Sequence, residues 1–260
     1  MIESRDFYER IAEGEDKAHD FTLPTDDGFT LYGILNEAVV PGDGKLLVIM
    51  HGMGGHPMEY LHQTAMRYFT QAGYDVARFS FYSSEDDSRK LRHCLLKNQV
   101  ADLHNVLAHF RGKYKKICVA GHSYGGMTAL VANPDVAAVS LWDSSLYPYH
   151  EYWARETSYE ERLGYYVLDY GYEILVSKAM VEESCSYDMA AMEKLAQDFR
   201  SPFHIGVAGA HVDRPGQKQV FDLIRTPKKY SFIAGADHDF ASGSTVFELM
   251  DETHEFFERF

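Results

Sequence analysis

A chain of 260 residues that is 45% hydrophobic and 25% charged can bury about three-quarters of its unfolded surface without disulfide or metal staples. Its formal charge of −14 weighs against a nucleic-acid partner and against docking on anionic membranes, since both need an excess of Lys and Arg. Cys94, Cys118 and Cys185 are odd in number and form no C-x-x-C. The opening Met1-Ile2-Glu3-Ser4-Arg5-Asp6 is too charged for a signal peptide, and no apolar run reaches membrane-spanning length, so a cytoplasmic protein is expected.

Taken in order, residues 1–20 read as a polar lead-in with a short helix around Phe7, Tyr8 and Ile11. Phe21-Thr22-Leu23 and residues 29–35 predict two strands joined by a turn at Asp26-Asp27-Gly28. A loop at Pro41-Gly42-Asp43-Gly44 leads into Leu46-Leu47-Val48-Ile49-Met50, a continuous apolar run typical of a strand buried on both faces. That run ends in His51-Gly52-Met53-Gly54-Gly55, where glycines permit dihedrals that turn backbone N–H groups toward a ligand. A helix over residues 59–72 is stopped by Gly73, and a strand over 75–79 follows. The polar loop over 80–90 carries Glu85-Asp86-Asp87, read as a solvated face and not as a metal site. Val100, Leu103, Val106, Leu107 and Phe110 repeat at helical spacing over residues 98–110.

Lys116-Ile117-Cys118-Val119-Ala120 is a short strand. It runs into Gly121-His122-Ser123-Tyr124-Gly125-Gly126, and a helix continues from Met127 until Asn133-Pro134. Strand, sharp turn and helix around G-x-S-x-G are the context of a nucleophile elbow. The serine needs a strained conformation at the tip of the turn, and a Cβ at either flanking glycine would jam strand against helix. Residues 136–142 form the next strand. Strands alternating with helices predict a mostly parallel sheet flanked by helices, built from right-handed crossovers. Residues 144–199 break this rhythm. They are rich in tyrosine, show helical pattern with little β alternation, and are read as a helical cap inserted after the sixth core strand. Residues 1–143 and 200–260 form the core. Strands return over 203–208 and 229–233, with helices over 217–224 and 244–260, the last N-capped by Ser244.

Taken together, these segments resemble the α/β-hydrolase family, in particular its small carboxylesterases of the feruloyl- or cinnamoyl-esterase type with a cap. The likeness rests on His51-Gly52-Met53-Gly54-Gly55, the elbow around Ser123, Gly209-Ala210-His211-Val212-Asp213, and Gly235-Ala236-Asp237-His238-Asp239-Phe240. They occur in the family's order of nucleophile, acid and base. The loop after Phe79 lacks the glycine-rich turn common there, and the cap shows little likeness.

A serine hydroxyl needs a base, and neutral imidazole suits that near neutral pH. His238, the single histidine in the loop after the last strand, fills that role. Asp213 is taken as the carboxylate that orients it. Asp143, at the end of its strand, is the rival; Asp237 and Asp239 flank His238 too closely to aim at it. His211 reads as a loop filler or pocket-wall residue, and His51 as a structural support. One oxyanion donor is the Tyr124 N–H; by resemblance the other is the Met53 N–H.

The expected activity is cleavage of small or aromatic acyl esters through an acyl-Ser123, with no cofactor, no metal and a small-molecule ester as partner. A thioesterase or acyltransferase is the near alternative, and a non-catalytic small-ligand receptor on the same scaffold is the distant one.

Overall fold

A computed structural model describes residues 17–40, 42–146, 149–212 and 216–260. The helix expected around Phe7 and Ile11 lies outside them, as does Asp213. The central sheet has eight strands: β1 (Ala18–Pro24), β2 (Thr30–Asn36), β3 (Lys45–Met50), β4 (Tyr74–Ser80), β5 (Lys116–His122), β6 (Ala138–Trp142), β10 (Phe203–Ala208) and β11 (Lys228–Ile233). Their order is β1-β2-β4-β3-β5-β6-β10-β11. β1 pairs with β2, and β2 with β4, in antiparallel fashion; every pair from β4 to β11 is parallel.

The central strands are apolar throughout because both faces are covered. In β3, Leu47 and Ile49 point into one core while Leu46, Val48 and Met50 point into the other, as the two-residue period of a strand requires. The first core is closed by α1 (Tyr60–Gln71) and α8 (Thr245–Phe257), whose Phe69, Leu249, Met250 and Phe256 are fully buried. The second is closed by α2 (Leu96–Phe110), α3 (Tyr124–Ala132) and part of the insertion. A short α7 (Gln217–Leu223) precedes β11.

The chain leaves the sheet after β6 and returns at β10, and the intervening segment is not purely helical. α4 (Tyr149–Glu156) is followed by an antiparallel meander of β7 (Thr157–Glu160), β8 (Tyr165–Asp169) and β9 (Glu173–Ser177). Then come α5 (Lys178–Cys185) and α6 (Met189–Gln197). The physical reason lies in Tyr165-Tyr166-Val167-Leu168 and Ile174-Leu175-Val176. These are aromatic and β-branched runs separated by a turn at Gly171, which favour a half-buried hairpin over a helix. Only Leu168 and Val176 of the meander are fully buried, so its alternation is weak in sequence.

The loop after β4 also differs from a wholly solvated one. Residues 84–87 are exposed, but Phe81, Ser88 and Arg89 are buried. Arg89 donates to Asp102 Oδ2 at 2.5 Å, to both oxygens of Asp27 at 2.6 and 2.9 Å, and to the Phe81 carbonyl at 3.0 Å. One guanidinium thus ties the β1–β2 turn and the β4 loop to α2. No described helix is long and apolar enough to cross a membrane.

Two expectations follow for stability. Arg89→Met strands the buried Asp102 carboxylate without its partner, and should cost about 3–5 kcal/mol in urea unfolding. His51, His122 and His204 are neutral because burial pushes their pKa down to about 4, 3 and 3, and burial holds His62 well below its usual value too. The unfolded chain therefore binds more protons below about pH 6.5. From there down to the folded values, each histidine should cost up to roughly tenfold in the folding equilibrium per pH unit. Acid titration followed by circular dichroism should show cooperative unfolding in that window, with stability flat above it.

Candidate active site

β5 ends at His122, and α3 begins at Tyr124, so Ser123 alone makes the turn. Its backbone sits at φ 53°, ψ −118°. Such a conformation costs of order 1–3 kcal/mol in a non-glycine residue and persists only when its surroundings impose it. Here the crossing of strand and helix does so. A Cβ on Gly121 would lie 2.5 Å from the Gly125 carbonyl oxygen, and one on Gly125 would lie 2.7 Å from the carbonyl oxygens of both Met50 and His51. The Ser123 N–H donates to the Trp142 carbonyl at 3.0 Å, and the Ser145 N–H donates to the Ser123 carbonyl at 3.1 Å.

The Ser123 hydroxyl lies 3.0 Å from His238 Nε2, and His238 Nδ1 lies 2.6 Å from Asp143 Oδ2. The second contact assigns the ring proton to Nδ1 and leaves Nε2 to accept from the serine. The place expected for Asp213 is therefore held by Asp143, the first residue after β6. The sheet order explains the correction. β6 lies between β5, which carries Ser123, and β10, which leads toward the His238 edge, so a side chain at the end of β6 can reach the His238 ring beside Ser123.

Asp143 is fully buried, and its backbone also has positive φ, at 39°. Its N–H donates to the Gly206 carbonyl at 2.7 Å. Oδ1 accepts from the Ala208 N–H at 3.2 Å and from Gln217 Nε2 at 3.1 Å, while Oδ2 accepts from both His238 and His211. Burial alone pushes this carboxyl up. The hydrogen bonds and charges of His211 and His238 outweigh it and hold the group well below the usual carboxylate range. His211, expected as filler or wall, is thus a second ring on the same oxygen, and it also lines the cavity. No local signal in Gly209-Ala210-His211 announces this; it requires β10 to lie beside β6. Asp237 accepts from the Asp239 and Ala241 N–H groups and from the Ser242 hydroxyl. It shapes the turn that carries His238 rather than facing the imidazole.

His122 and His51 both act as buried neutral braces. His122 Nε2 donates to the His238 carbonyl at 2.9 Å and pins the main chain of that residue. His51 Nδ1 donates to the Gly52 carbonyl at 2.8 Å, while its Nε2 accepts from the Phe81 N–H at 3.2 Å. The Tyr82 hydroxyl donates to the same Gly52 carbonyl at 3.1 Å. Phe81 and Tyr82 do this in the loop that lacks a glycine-rich turn. Carbonyl and N–H of a trans peptide point in opposite directions, so tying down the Gly52 carbonyl directs the Met53 N–H away from His51 and Tyr82. Gly52 lies against the nucleophile, since a Cβ there would be 3.0 Å from the Ser123 Cβ. The Tyr124 N–H opens α3 on the other side.

These groups face a cavity of about 550 Å³, roofed by Tyr152, Tyr170 and Tyr172 of the insertion. Ser145, 3.1 Å from the Ser123 hydroxyl, is a wall residue that sequence reasoning missed. Among the described residues, two sets of three donors have atoms within 4.8 Å of one another: Asp143, His211 and His238, and Glu59, His62 and His122. In the first, both ring Nδ1 protons already serve the carboxylate. In the second, His122 Nε2 is committed to the His238 carbonyl.

The model of the alpha/beta hydrolase family matches residues 47–258. Among solved structures, the esterase Est1E of Butyrivibrio proteoclasticus with ferulic acid bound superposes with a TM-score of 0.76 at 16% identity, over 92% of this chain and 98% of that one. A putative hydrolase from Agrobacterium vitis gives 0.74 at 17% identity, over 92% and 98%. An esterase from Pyrococcus furiosus gives 0.68 at 16% identity, over 94% and 92%. A search of curated protein sequences finds no significant match.

The arrangement makes a direct prediction about the carboxylate. Asp143→Asn should slow phosphonylation of Ser123 by a fluorophosphonate roughly 10⁴-fold, because the amide cannot hold the ring in the productive tautomer. Asp213→Asn should leave the rate near that of the unaltered protein. Intact-protein mass spectrometry against time reads both, and the reverse ranking would restore Asp213.

Proposed function

Because the chain belongs to the alpha/beta hydrolase family, we propose that it is a serine hydrolase cleaving carboxylic esters of small or aromatic acyl groups. The observation that carries this reading is the relay from Ser123 through His238 to the buried Asp143, with contacts of 3.0 and 2.6 Å, opening on a cavity of about 550 Å³.

Ser123 Oγ attacks the ester carbonyl carbon while His238 Nε2 takes its proton. The imidazolium that forms is stabilised by Asp143, which stays ionised. Negative charge that develops on the carbonyl oxygen is met by the Met53 and Tyr124 N–H groups, whose peptides are already oriented and need no reorganisation. Collapse of the tetrahedral adduct breaks the bond to the leaving oxygen, which receives the proton from His238. Water, deprotonated by the same imidazole, then attacks the acyl-Ser123 carbonyl; collapse breaks the bond to Ser123 Oγ, which takes the proton back from His238, and the acid departs. No step calls on a cofactor or a metal.

The tyrosine-rich roof supports an acyl group with an aromatic or short aliphatic body. The ferulic acid bound to Est1E, a protein of the same fold, is consistent with that size and shape. Unpaired Cys94, Cys118 and Cys185 support a reducing, cytoplasmic setting.

Hydrolysis of p-nitrophenyl esters, from acetate through long acyl chains to an aromatic acyl, tests the proposal. Wild type should turn over short and aromatic members, and Ser123→Ala should lose roughly 10⁴–10⁶ in kcat. Unchanged turnover in Ser123→Ala would overturn the assignment. A matched thioester cleaved far faster than its oxygen ester would move the protein to thioester chemistry.

A further inference from the structure

Glu59 precedes α1 and occupies its N-cap position, yet its side chain makes no cap hydrogen bond to the helix. The carboxylate is turned instead toward the cavity beside the nucleophile and lines it. Its place is made by Gly55: a Cβ there would stand 2.7 and 2.8 Å from the two carboxylate oxygens. The glycine-rich loop therefore does more than free backbone N–H groups, since its last glycine admits a carboxylate to the pocket wall.

No cation among the described residues pairs with Glu59. The one ring nitrogen recorded against it, His62 Nδ1 at 3.3 Å, belongs to a ring that burial keeps neutral. Burial, then the charge of Asp239, pushes the Glu59 carboxyl up to about 7. A backbone hydrogen bond at His56 and the proximity of His238 oppose the rise. A partly buried carboxylate without a counter-charge is costly unless a cation arrives to share it.

The rest of the cavity has the same sign. Glu151, Glu156 and Asp239 join Glu59 on its walls, and the single Arg or Lys among the described lining residues, Arg155, donates to Glu156 at 2.5 Å. Tyr152, Tyr170 and Tyr172 add aromatic faces, which attract cations through the ring quadrupole. A formal charge of −14 draws cationic ligands to the molecule and repels anionic ones.

We propose that Glu59, with Asp239 and the tyrosine roof, forms a subsite for an ammonium group carried by the substrate. This rests on the ester-hydrolase reading and narrows its substrate class to cationic esters. The carboxylate of Glu59 faces the ammonium, a tyrosine face covers it, and the scissile carbonyl reaches Ser123 next door. Esters bearing a carboxylate at the same position are excluded by repulsion from the same walls.

A matched pair of benzoate esters tests the subsite: one of 2-(trimethylammonio)ethanol and one of 3,3-dimethylbutanol, which share shape and differ in charge. Both are followed by pH-stat at about pH 8, where Glu59 is largely ionised. The kcat/KM ratio of cationic to neutral ester should be roughly tenfold or more in wild type, and should fall toward one in Glu59→Gln. The ratio cancels any general damage done by the substitution. A wild-type ratio near one, or a high ratio that survives Glu59→Gln, would overturn the subsite while leaving the hydrolase reading intact.

If neither ester is cleaved, the hydrolase reading still stands or falls on the p-nitrophenyl ester series and Ser123→Ala, and calorimetric titration with benzyltrimethylammonium decides the subsite by itself. Binding to wild type that is lost in Glu59→Gln supports it. No binding, or equal binding to both proteins, overturns it.

Discussion

One buried negative charge organises the site. Asp143 is fully buried, so its ionised form is sustained by the four donors that converge on it: two imidazoles, a side-chain amide and a backbone N–H. Those donors come from the segment after β10, from β10 itself, from α7 and from the loop after β11. The carboxylate therefore records the correct assembly of this half of the sheet. It also sets the His238 tautomer, which leaves Nε2 open toward Ser123.

Around this charge, the histidines divide by environment. His51, His62, His122 and His204 lie in dry surroundings that suppress protonation. They work as neutral hydrogen-bonding spacers with one ring nitrogen donating or accepting as the neighbour demands. His238 and His211 instead meet a carboxylate and open on the cavity. The same side chain is thus a dry brace in one setting and a cavity-facing partner of a carboxylate in the other. His122 links the two sets, since it holds the His238 main chain from beneath the elbow.

The cavity joins a floor built by the core to a roof built by the insertion. Its floor is built on strand ends and on a helix start, where the packing of Gly121 against Gly125 leaves no latitude. Its roof comes from an insertion packed on the core in part through Tyr149, whose ring meets that of Tyr124 edge-on at 5.8 Å, and braced internally by Trp153, whose indole N–H donates to Ser184. In the proposed reading, the floor carries the chemistry, and the roof with the carboxylates on the walls selects the substrate.

Periodicity and punctuation in the sequence determined the strands, the helices and the elbow. These are local matters: continuous apolar runs for doubly covered strands, a 3.6-residue repeat for α2, and glycines where backbones approach. Ser123 and His238 were legible for the same reason, as each is marked by its neighbours in the chain. The meander at residues 157–177 was obscured, because with only two of its side chains fully buried the alternation hardly appears in residue types. Only the tertiary structure set Asp143 against His238, brought His211 onto the same oxygen and turned Glu59 into the cavity. Each depends on which strands and loops become neighbours across more than fifty residues of sequence or on a space left by a glycine. Side-chain identity along the chain carries no record of either.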